Sequence, residues 1–262
     1  MFLKEEDKMV SATLKHSKKA FSLFTLTLLL FSSFLLINQN AEAQPELFVN
    51  GSFETGDFTG WTVVQEQFSG GDWFVYSGTL SPISNLPILP PPVGTFAAVT
   101  DQGDPSSQVL FQDIDIPAGT AECSVIVYYE NRASEGFING SDLSHETFPN
   151  QQARIDIMDP AAPDFDIGAG VLMNIFQTNP GDPNLLGYTT IDFDLTDFAG
   201  TTVRFRVAEV DNEGVFNFSI DNVRCEDIVS TVPTLSEWGL IAMASILGIV
   251  GFMVMRRRKV TA

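Results

Sequence analysis

The sequence predicts an all-β protein whose central region, residues 44–231, folds as one antiparallel two-sheet sandwich. Residues 152–157, 202–207 and 216–221 alternate apolar with polar side chains, and a period of two with one apolar face is typical of a half-buried strand. Residues 124–129 form a further run of β-branched and aromatic side chains. Gly and Pro turn signals separate these runs, and no convincing amphipathic helix lies between them. Short strands spread over fewer than 190 residues favour two packed sheets in a single domain.

The first segment of the chain, residues 1–43, is predicted to be a secretory signal peptide. Three lysines between positions 15 and 19 precede an apolar stretch from Ala20 to Ile37, and Ala41-Glu42-Ala43 supplies an A-x-A cleavage site. A positive region, an apolar region and a small-residue cleavage site in that order are typical of such signals. An uncleaved N-terminal anchor is the alternative, and in both cases the central region is exported.

The exported region is strongly acidic. It holds 28 Asp and Glu residues against five arginines and no lysine, whereas the whole chain has 14 Lys and Arg residues. Binding to phosphate needs clustered cations, so this charge excludes nucleic acid as a partner and favours divalent cations. A solvated acidic surface that keeps a secreted protein soluble is the alternative explanation for most of these carboxylates.

Both cysteines of the chain lie in the exported region, where an oxidising compartment preserves disulfides. Cys123 begins an apolar strand-like run, and Cys225 lies in the last such run. We therefore expect a Cys123–Cys225 disulfide, with two separate buried thiols as the alternative. Catalysis by a cysteine nucleophile is not expected, because His145 is the only histidine of this region and lies in a polar loop.

The C-terminal segment, residues 232–262, combines three features in order. They are the block V-P-T-L-S-E-W-G from 232 to 239, an uncharged apolar run from 239 to 255, and a basic cluster from 256 to 259. The apolar run is at the short end of what spans a bilayer as a helix, about 17–25 residues. We predict a transmembrane helix there, with the basic tail kept in the cytoplasm by the positive-inside rule.

This segment resembles the IPTL-CTERM sorting signal of Gram-negative bacteria, whose hallmark is an Ile-Pro-Thr-Leu-x-x-Trp-Gly block. Val232 stands where that block has Ile. The residues that match it are Pro233, Thr234, Leu235, Trp238 and Gly239. The resemblance implies processing by an exosortase-type membrane transpeptidase. It also implies export through the inner membrane to the cell envelope, the cell surface or the extracellular matrix. A plain anchor that nothing cuts is the alternative.

A second resemblance extends over nearly the whole exported region. Residues 50–61, N-G-S-F-E-T-G-D-F-T-G-W, look like the opening strand of the galactose-binding-like jelly rolls that include many carbohydrate-binding modules. Residues 218–223 resemble their closing strand, and residues 109–113 and 198–203 resemble internal landmarks. The resemblance implies a jelly-roll sandwich. It implies no single function, because this fold hosts binding modules, enzyme accessory domains and surface proteins alike.

The same resemblance implies a structural calcium where the first and last strands meet. The matching side chains are Glu54 and Asp221, and backbone carbonyls near Asn50 and Ser52 would complete the site. Calcium takes six to eight oxygen ligands, so a carboxylate from each end of the domain would clamp its termini. The alternative is that Glu54 caps a turn and Asp221 pairs with an arginine. Asp57 is a further candidate ligand.

A ligand-binding face is also expected on the polar sides of the strands. If Ile155, Phe205 and Phe218 point to the core, the opposite faces carry Gln152, Arg154, Arg204 and Arg206. Jelly-roll modules often bind glycans on an exposed sheet with aromatic platforms. The candidate platforms are Tyr128 or Tyr129, and Trp73, Phe74 and Tyr76. The alternative is that the aromatic side chains lie in the core and the arginines pair with carboxylates.

Three functions follow from these observations. The first is a non-catalytic surface or matrix protein that binds calcium and glycan or assembles with its neighbours. The second is a secreted carbohydrate-binding lectin, and the third is a glycoside hydrolase that uses paired carboxylates. We expect the first and no enzyme, because no carboxylate pair is singled out by its spacing. The expected partners are the sorting transpeptidase, the membrane through the C-terminal helix, and surface or matrix polysaccharide.

Overall fold

The computed structural model describes residues 46–119, 122–225 and 244–251. The predicted signal peptide at 1–43 and the sorting block at 232–239 lie outside these ranges. The chain divides into two compact units, and one of them, Gln44–Ser230, contains every strand described below.

The described part of this unit is built from ten β-strands in two five-stranded antiparallel sheets. The strands are β1 (Thr62–Gln65), β2 (Gly71–Tyr76), β3 (Ala97–Gln102), β4 (Ser106–Asp115), β5 (Glu122–Asn131), β6 (Gln151–Met158), β7 (Val171–Gln177), β8 (Leu185–Asp194), β9 (Thr202–Asp211) and β10 (Phe216–Cys225). Sheet A has the order β1-β4-β9-β6-β7, and sheet B has the order β2-β3-β10-β5-β8. A short 3-10 turn over Thr196–Phe198 precedes β9. The predicted all-β fold with two antiparallel sheets is confirmed.

The hydrophobic core lies between the two sheets and is rich in aromatic rings. Ile155, Phe205 and Phe218 point into it, as the alternation in their strands predicted. The ring of Phe205 contacts those of Phe48 and Trp61 edge to face, with centroids 5.1 and 6.1 Å away. Such contacts stabilise a core beyond the area that they bury. Phe205 on β9, the middle strand of sheet A, is therefore a central residue of the core.

The outer face of sheet A is covered, which differs from the half-buried strands that the alternation predicted. Every residue of β6 is buried, and so is every residue of β9 after Thr202. Ala208 and Val210 on that face pack against Leu143, which precedes β6, and against Phe165, which follows it. Alternation reports only that two faces differ in polarity. It cannot show that loops bury the polar face as well.

The outer face of sheet B is covered by the long loop between β2 and β3. Ile88 from this proline-rich loop packs against Tyr76, Val99 and Tyr128 on the sheet. Two backbone hydrogen bonds within the loop hold its shape. Ser81 N–H donates to Leu86 O, and Ile88 N–H donates to Thr79 O. The middle of each sheet is therefore closed to solvent on both sides.

Residues 50–61 form consecutive turns, and the first strand among the described residues begins at Thr62. This corrects the resemblance to an opening strand. Asn50 and Phe53 have φ values of 52° and 57°, in the left-handed region, which is incompatible with an extended strand. The segment is pinned to the last strand instead, because Val223 N–H donates to Gly51 O at 2.9 Å. Glycine is required there, since a Cβ atom at position 51 would lie 2.0 Å from Val223 O.

Residues 244–251, inside the predicted membrane span of 239–255, are helical. In the ranges that the structure describes, no helix has both the length and the apolar character needed to cross a bilayer. The rest of the predicted span lies outside those ranges.

Cys123 and Cys225 form the predicted disulfide, with an S–S distance of 2.04 Å. They are directly opposed in register on the neighbouring strands β5 and β10. The bond closes a loop of 102 residues in sequence, so it joins the middle of the domain to the end of its last strand.

Replacing both cysteines, Cys123→Ala with Cys225→Ala, should lower the free energy of unfolding by about 4–5 kcal/mol, because a loop of about 100 residues restricts the unfolded chain strongly. Urea unfolding of the full-length chain with and without dithiothreitol measures this. The reductant should destabilise the native sequence and leave the double variant unchanged. A loss below about 1 kcal/mol would contradict the expectation.

Candidate functional site

The loop before β3 brings Glu54 and Asp221 to the same place. Thr95 and Phe96 N–H both donate to Glu54 Oε1 at 2.9 Å, and Val93 N–H donates to Asp221 Oδ2 at 3.3 Å. Asp221 is completely buried in β10, whereas Glu54 is exposed. The structure thus places the two predicted carboxylate ligands at one junction, where the first turns of the domain meet its last strand.

The environment of Asp221 disfavours its ionised form. Burial raises the pKa of this carboxyl from its ordinary value of 3.8 to about 7, and repulsion by Glu54 adds to the effect. The N–H groups of Asn222 and Val93 oppose the shift without cancelling it. None of the ion pairs among the described residues includes Asp221 or Glu54. The alternative in which Asp221 pairs with an arginine therefore does not hold in the described part, while Glu54 does cap the loop at 95–96.

Two neighbouring carboxylates without a cationic partner fit a divalent cation, which favours their charged forms. The remaining ligands would have to be backbone oxygens or water, because the described residues contain no group of three or more His, Cys, Asp or Glu that could hold a metal. Asn50 O already accepts from Phe53 N–H and Trp61 Nε1–H, both at 3.1 Å. Of the two backbone positions that we predicted, the half-buried Ser52 is therefore the better candidate.

Asp57, the further candidate ligand, has a local role in the first turns. Its Oδ1 accepts from Thr55 Oγ1 at 2.7 Å and from Thr59 N–H at 3.0 Å. The hydrogen bonds from Thr59 and Thr55 lower the pKa of Asp57. This carboxylate therefore shapes the turn that carries Glu54 towards β3.

The predicted ligand-binding arginines do lie together on the outer face of sheet A, but they are buried there. Arg206 has no exposed surface. Its guanidinium donates to the Asp156 carboxylate and to the carbonyl oxygens of Asp164 and Asp166. Arg154 donates to both oxygens of Asp156, at 2.6 and 2.8 Å. These two arginines share one buried carboxylate and hold down the loop that follows β6.

Arg204 and Gln152 extend the same arrangement. Arg204 donates to Asp113 and Asp164, and its guanidinium carbon lies 3.8 Å from the centre of the Phe111 ring. Gln152 donates to Asn150 Oδ1 at 2.6 Å. The expectation that these side chains form an open ligand face is therefore corrected. They satisfy the carboxylates and carbonyls of the covering loops, because a charge buried under a loop must be paired.

The predicted aromatic platforms are closed as well. Tyr128 is buried on the outer face of sheet B, where its hydroxyl donates to Glu130 at 3.0 Å and its ring lies 5.4 Å from that of Tyr188. Tyr76 donates from its hydroxyl to Leu89 O at 2.8 Å in the covering loop. Trp73 and Tyr129 lie in the main core, and the half-buried Phe74 packs beside Tyr76. None of these rings offers an open stacking surface.

A pocket of about 270 Å³, which the sequence did not predict, lies at the end of the sandwich where β3 and β9 finish. Gln102 and Asp211, the last residues of those strands, line it together with the turns that follow each of them. The two residues are 109 positions apart in the numbering. They lie on strands of different sheets, and the packing of the two sheets brings them together, so neither spacing nor motif could have singled them out.

Comparison with known families identifies the C-terminal segment. The model of the IPTL-CTERM motif matches residues 232–258. The chain carries an IPTL-CTERM motif. The match confirms the resemblance of this segment to the sorting signal, and it covers about a tenth of the chain. No curated protein matches the sequence as a whole.

Several solved structures are similar to part of this chain. A family 61 carbohydrate-binding module in complex with β-1,4-galactotriose matches 70% of this chain and 99% of its own, with 15% identity and a TM-score of 0.44. The K3 adhesin domain of Lys-gingipain from Porphyromonas gingivalis W83 matches 69% and 98%, with 11% identity and a TM-score of 0.44. A xylan-binding domain of family 22 matches 72% and 99%, with 12% identity and a TM-score of 0.37. With TM-scores below 0.5, these similarities support no inference about function.

If the predicted calcium site forms, calcium should stabilise the full-length chain more at pH 8 than at pH 5.5, because the predicted ligand Asp221 would have to lose a proton. Without calcium, the pH dependence of stability has the opposite sign, and the folded state loses stability as the pH rises. The folded pKa is raised above its ordinary value, so this group's contribution to stability is complete below about pH 4 and is lost as the pH rises through about 7. At calcium concentrations about 100 times Kd, Tm should rise by about 5–10 °C.

Thermal unfolding with calcium and with EDTA, at both pH values, tests this site. Asp221→Asn should abolish the calcium-dependent rise in Tm and flatten the pH dependence in EDTA. Asp197→Asn, a change at an exposed carboxylate in the 3-10 turn, is the matched control and should keep both. A calcium-dependent rise that survives in Asp221→Asn would rule out the site.

Proposed function

We propose that this chain is an exported, non-catalytic surface or matrix protein whose jelly-roll domain binds carbohydrate. The proposal of export rests on the IPTL-CTERM match at residues 232–258, because a sorting signal indicates delivery to the cell surface. The disulfide suits the oxidising environment outside the cytoplasm. An exported region without lysine also suits a neutral polymer better than a polyanion.

In this proposal an exosortase-type membrane transpeptidase recognises the block at 232–239, while the apolar run at 239–255 holds the chain in the inner membrane of a Gram-negative bacterium. The basic tail at 256–259 would keep the far end in the cytoplasm. Cleavage would then transfer the domain to the cell envelope or the extracellular matrix. A structural calcium between Glu54 and Asp221 would clamp the two ends of the released domain.

A glycoside hydrolase is not favoured by the carboxylates of the domain. Glu209 and Asp211 are the buried neighbours that come nearest to a catalytic pair, and burial raises the pKa of both. Glycoside hydrolysis needs one protonated carboxyl and one ionised partner across a cleft. Two carboxyls whose pKa values are raised by the same environment do not divide these roles.

Changing Trp238→Ala and Gly239→Ala together should block processing and leave a longer, membrane-bound form in the native host. These residues are fixed in the sorting block, whereas Ser236 occupies a variable position, so Ser236→Ala is the matched control. Immunoblots of membrane, surface and medium fractions with an antibody against the exported domain give the readout. Identical processing of the double variant and the native chain would reduce the segment to a plain anchor.

The full-length chain should bind at least one neutral glycan on a panel that also contains anionic glycans. The acidic domain repels uronates and sulfates, so these serve as the internal negative control. The panel should be run with calcium and with EDTA, which separates a direct role of calcium in binding from its role in stability. Absence of binding to all neutral glycans under both conditions would leave a structural or assembly role.

A further inference from the structure

The strand β8 gives sheet B a long free edge. Sheet B ends at β8, which pairs with β5 alone among the described strands. β8 has ten residues, whereas the other edge strands β1, β2 and β7 have four, six and seven. Its register with β5 is unbroken over six consecutive pairs, from Glu122↔Asp194 to Val127↔Thr189. A regular edge of this length carries a row of backbone N–H and C=O groups with which another extended chain can pair.

The second half of β8 is open along its edge and on its outer face. Among the described residues, no backbone hydrogen bond reaches this edge from a segment outside sheet B. The loop between β2 and β3 contacts β8 at Tyr188, whose hydroxyl donates to Pro90 O at 2.5 Å. Further along the strand, Thr190, Asp192 and Asp194 are exposed on the outer face. The loop that closes the middle of sheet B therefore leaves this part of β8 accessible to a partner.

A cavity of about 490 Å³ lies on this outer face and is mainly acidic. Asp192 and Asp194 line it from β8, and Glu122 lines it from β5. Arg224 lines it from β10, on the far side of β5, and can offset only one of the three carboxylates. Hydrogen bonds from Thr196 lower the pKa of Asp194, so this carboxylate is charged at neutral pH. The cavity therefore attracts a cationic side chain.

The charge of β8 selects which chain can pair with it. A second copy of this domain would bring its own carboxylates up to Asp192 and Asp194, because the exported region has 28 Asp and Glu residues against five arginines. Like charges on neighbouring strands destabilise the pairing, whereas opposite charges stabilise it. Charged side chains on an edge strand thus oppose self-association. They do not oppose a cationic partner, so the same carboxylates exclude one occupant and favour another.

The alternation of side chains along β8 defines the sequence pattern of such a partner. Successive residues of a strand point to opposite faces of the sheet. A strand added beside β8 would therefore have every second side chain on the outer face, next to Thr190 and Asp192. The side chains between them would lie on the inner face, where the half-buried Ile191 packs against the core. Cationic residues suit the first set of positions, and apolar residues suit the second because they would cover Ile191.

We infer that β8 is a docking edge for an extended segment of another protein in which lysine or arginine alternates with apolar residues. The segment adds one strand to sheet B, and its cationic side chains contact Glu122, Asp192 and Asp194. In strand addition, backbone hydrogen bonds supply affinity and the alternate side chains supply specificity. The inference goes beyond the proposed function, because it concerns a protein partner and does not depend on carbohydrate binding.

The test uses the full-length chain in an uncharged detergent and the fluorescein-labelled peptide Lys-Val-Lys-Val-Lys-Val with both ends blocked. Fluorescence anisotropy gives Kd, and hydrogen–deuterium exchange shows which backbone amides the peptide protects. We expect a Kd below about 1 mM and slower exchange within residues 189–194. Raising the salt concentration from about 20 to about 200 mM should weaken binding by about threefold or more, because the contacts are exposed ion pairs.

Two matched controls separate strand addition at β8 from general attraction to an acidic protein. The peptide Lys-Pro-Lys-Pro-Lys-Pro has the same charge but lacks three backbone N–H groups, so it should bind about tenfold more weakly or worse. Glu122→Lys with Asp192→Lys should weaken binding of the lysine–valine peptide by about tenfold or more. Asp104→Lys with Glu135→Lys changes the net charge equally at exposed carboxylates in the turns after β3 and β5, and should leave Kd within about twofold.

All four substituted residues are exposed, so an unchanged Tm is expected for both double variants and shows that they fold. Equal binding of the lysine–proline peptide would mean attraction by charge alone and would overturn the inference. So would equal binding to Glu122→Lys with Asp192→Lys, protection of a strand other than β8, or a Kd above about 1 mM in about 20 mM salt. If residues 189–194 become protected as the chain alone is concentrated, a second copy occupies the edge and the cationic partner is wrong. None of these outcomes bears on carbohydrate binding, which the glycan panel tests separately.

Discussion

The closure of the first turns onto the last strand is the contact on which the rest of the domain depends. Gly51 lies so close to β10 that a Cβ atom would meet Val223 O at 2.0 Å. That approach places the turn carrying Glu54 next to Asp221 and leaves Trp61 in the core. One strand further, the disulfide joins β10 to β5. The end of strand β10 is therefore held by a backbone hydrogen bond to the first turns and by a disulfide to β5.

The covering loops decide where a ligand can bind. Arg206 and Arg154 share the Asp156 carboxylate under the loop after β6, and the tyrosines of sheet B are closed under the loop before β3. A buried ion pair of this kind is weak evidence for stability, but removing one partner would leave an uncompensated charge. The arginines are thus committed to loop attachment. The outer face of sheet B stays open along β8, where Thr190, Asp192 and Asp194 are exposed beside a cavity of about 490 Å³.

The sequence predicted the parts of this structure that depend on local pattern. Alternation located β6, β9 and β10 and the side chains that point to the core, such as Phe205 and Phe218. The export signals implied the disulfide, and a motif of a few residues identified the sorting segment. The turns at 50–61 were missed because the resemblance to an opening strand was given more weight than the Asn50-Gly51 turn signal. The pocket was missed because its residues come from two turns that are far apart in the sequence, and covered polar faces read the same as solvated ones.

The acidic groups of the domain fall into two classes that respond differently to their surroundings. The half-buried Asp166 and the exposed Asp194 accept hydrogen bonds from their own turns, which lower their pKa values, so they favour the folded state as anions. Asp221, Glu209 and Asp211 have raised pKa values because they are buried, and their ionisation opposes folding as the pH rises. At the termini a cation can offset that opposition, because Asp221 has Glu54 beside it. At the other end, none of the ion pairs among the described residues includes Glu209 or Asp211, and the charge of Asp211 adds to the effect of burial on the pKa of Glu209. The cost of burying a carboxylate therefore makes stability depend on pH at both ends of the sandwich.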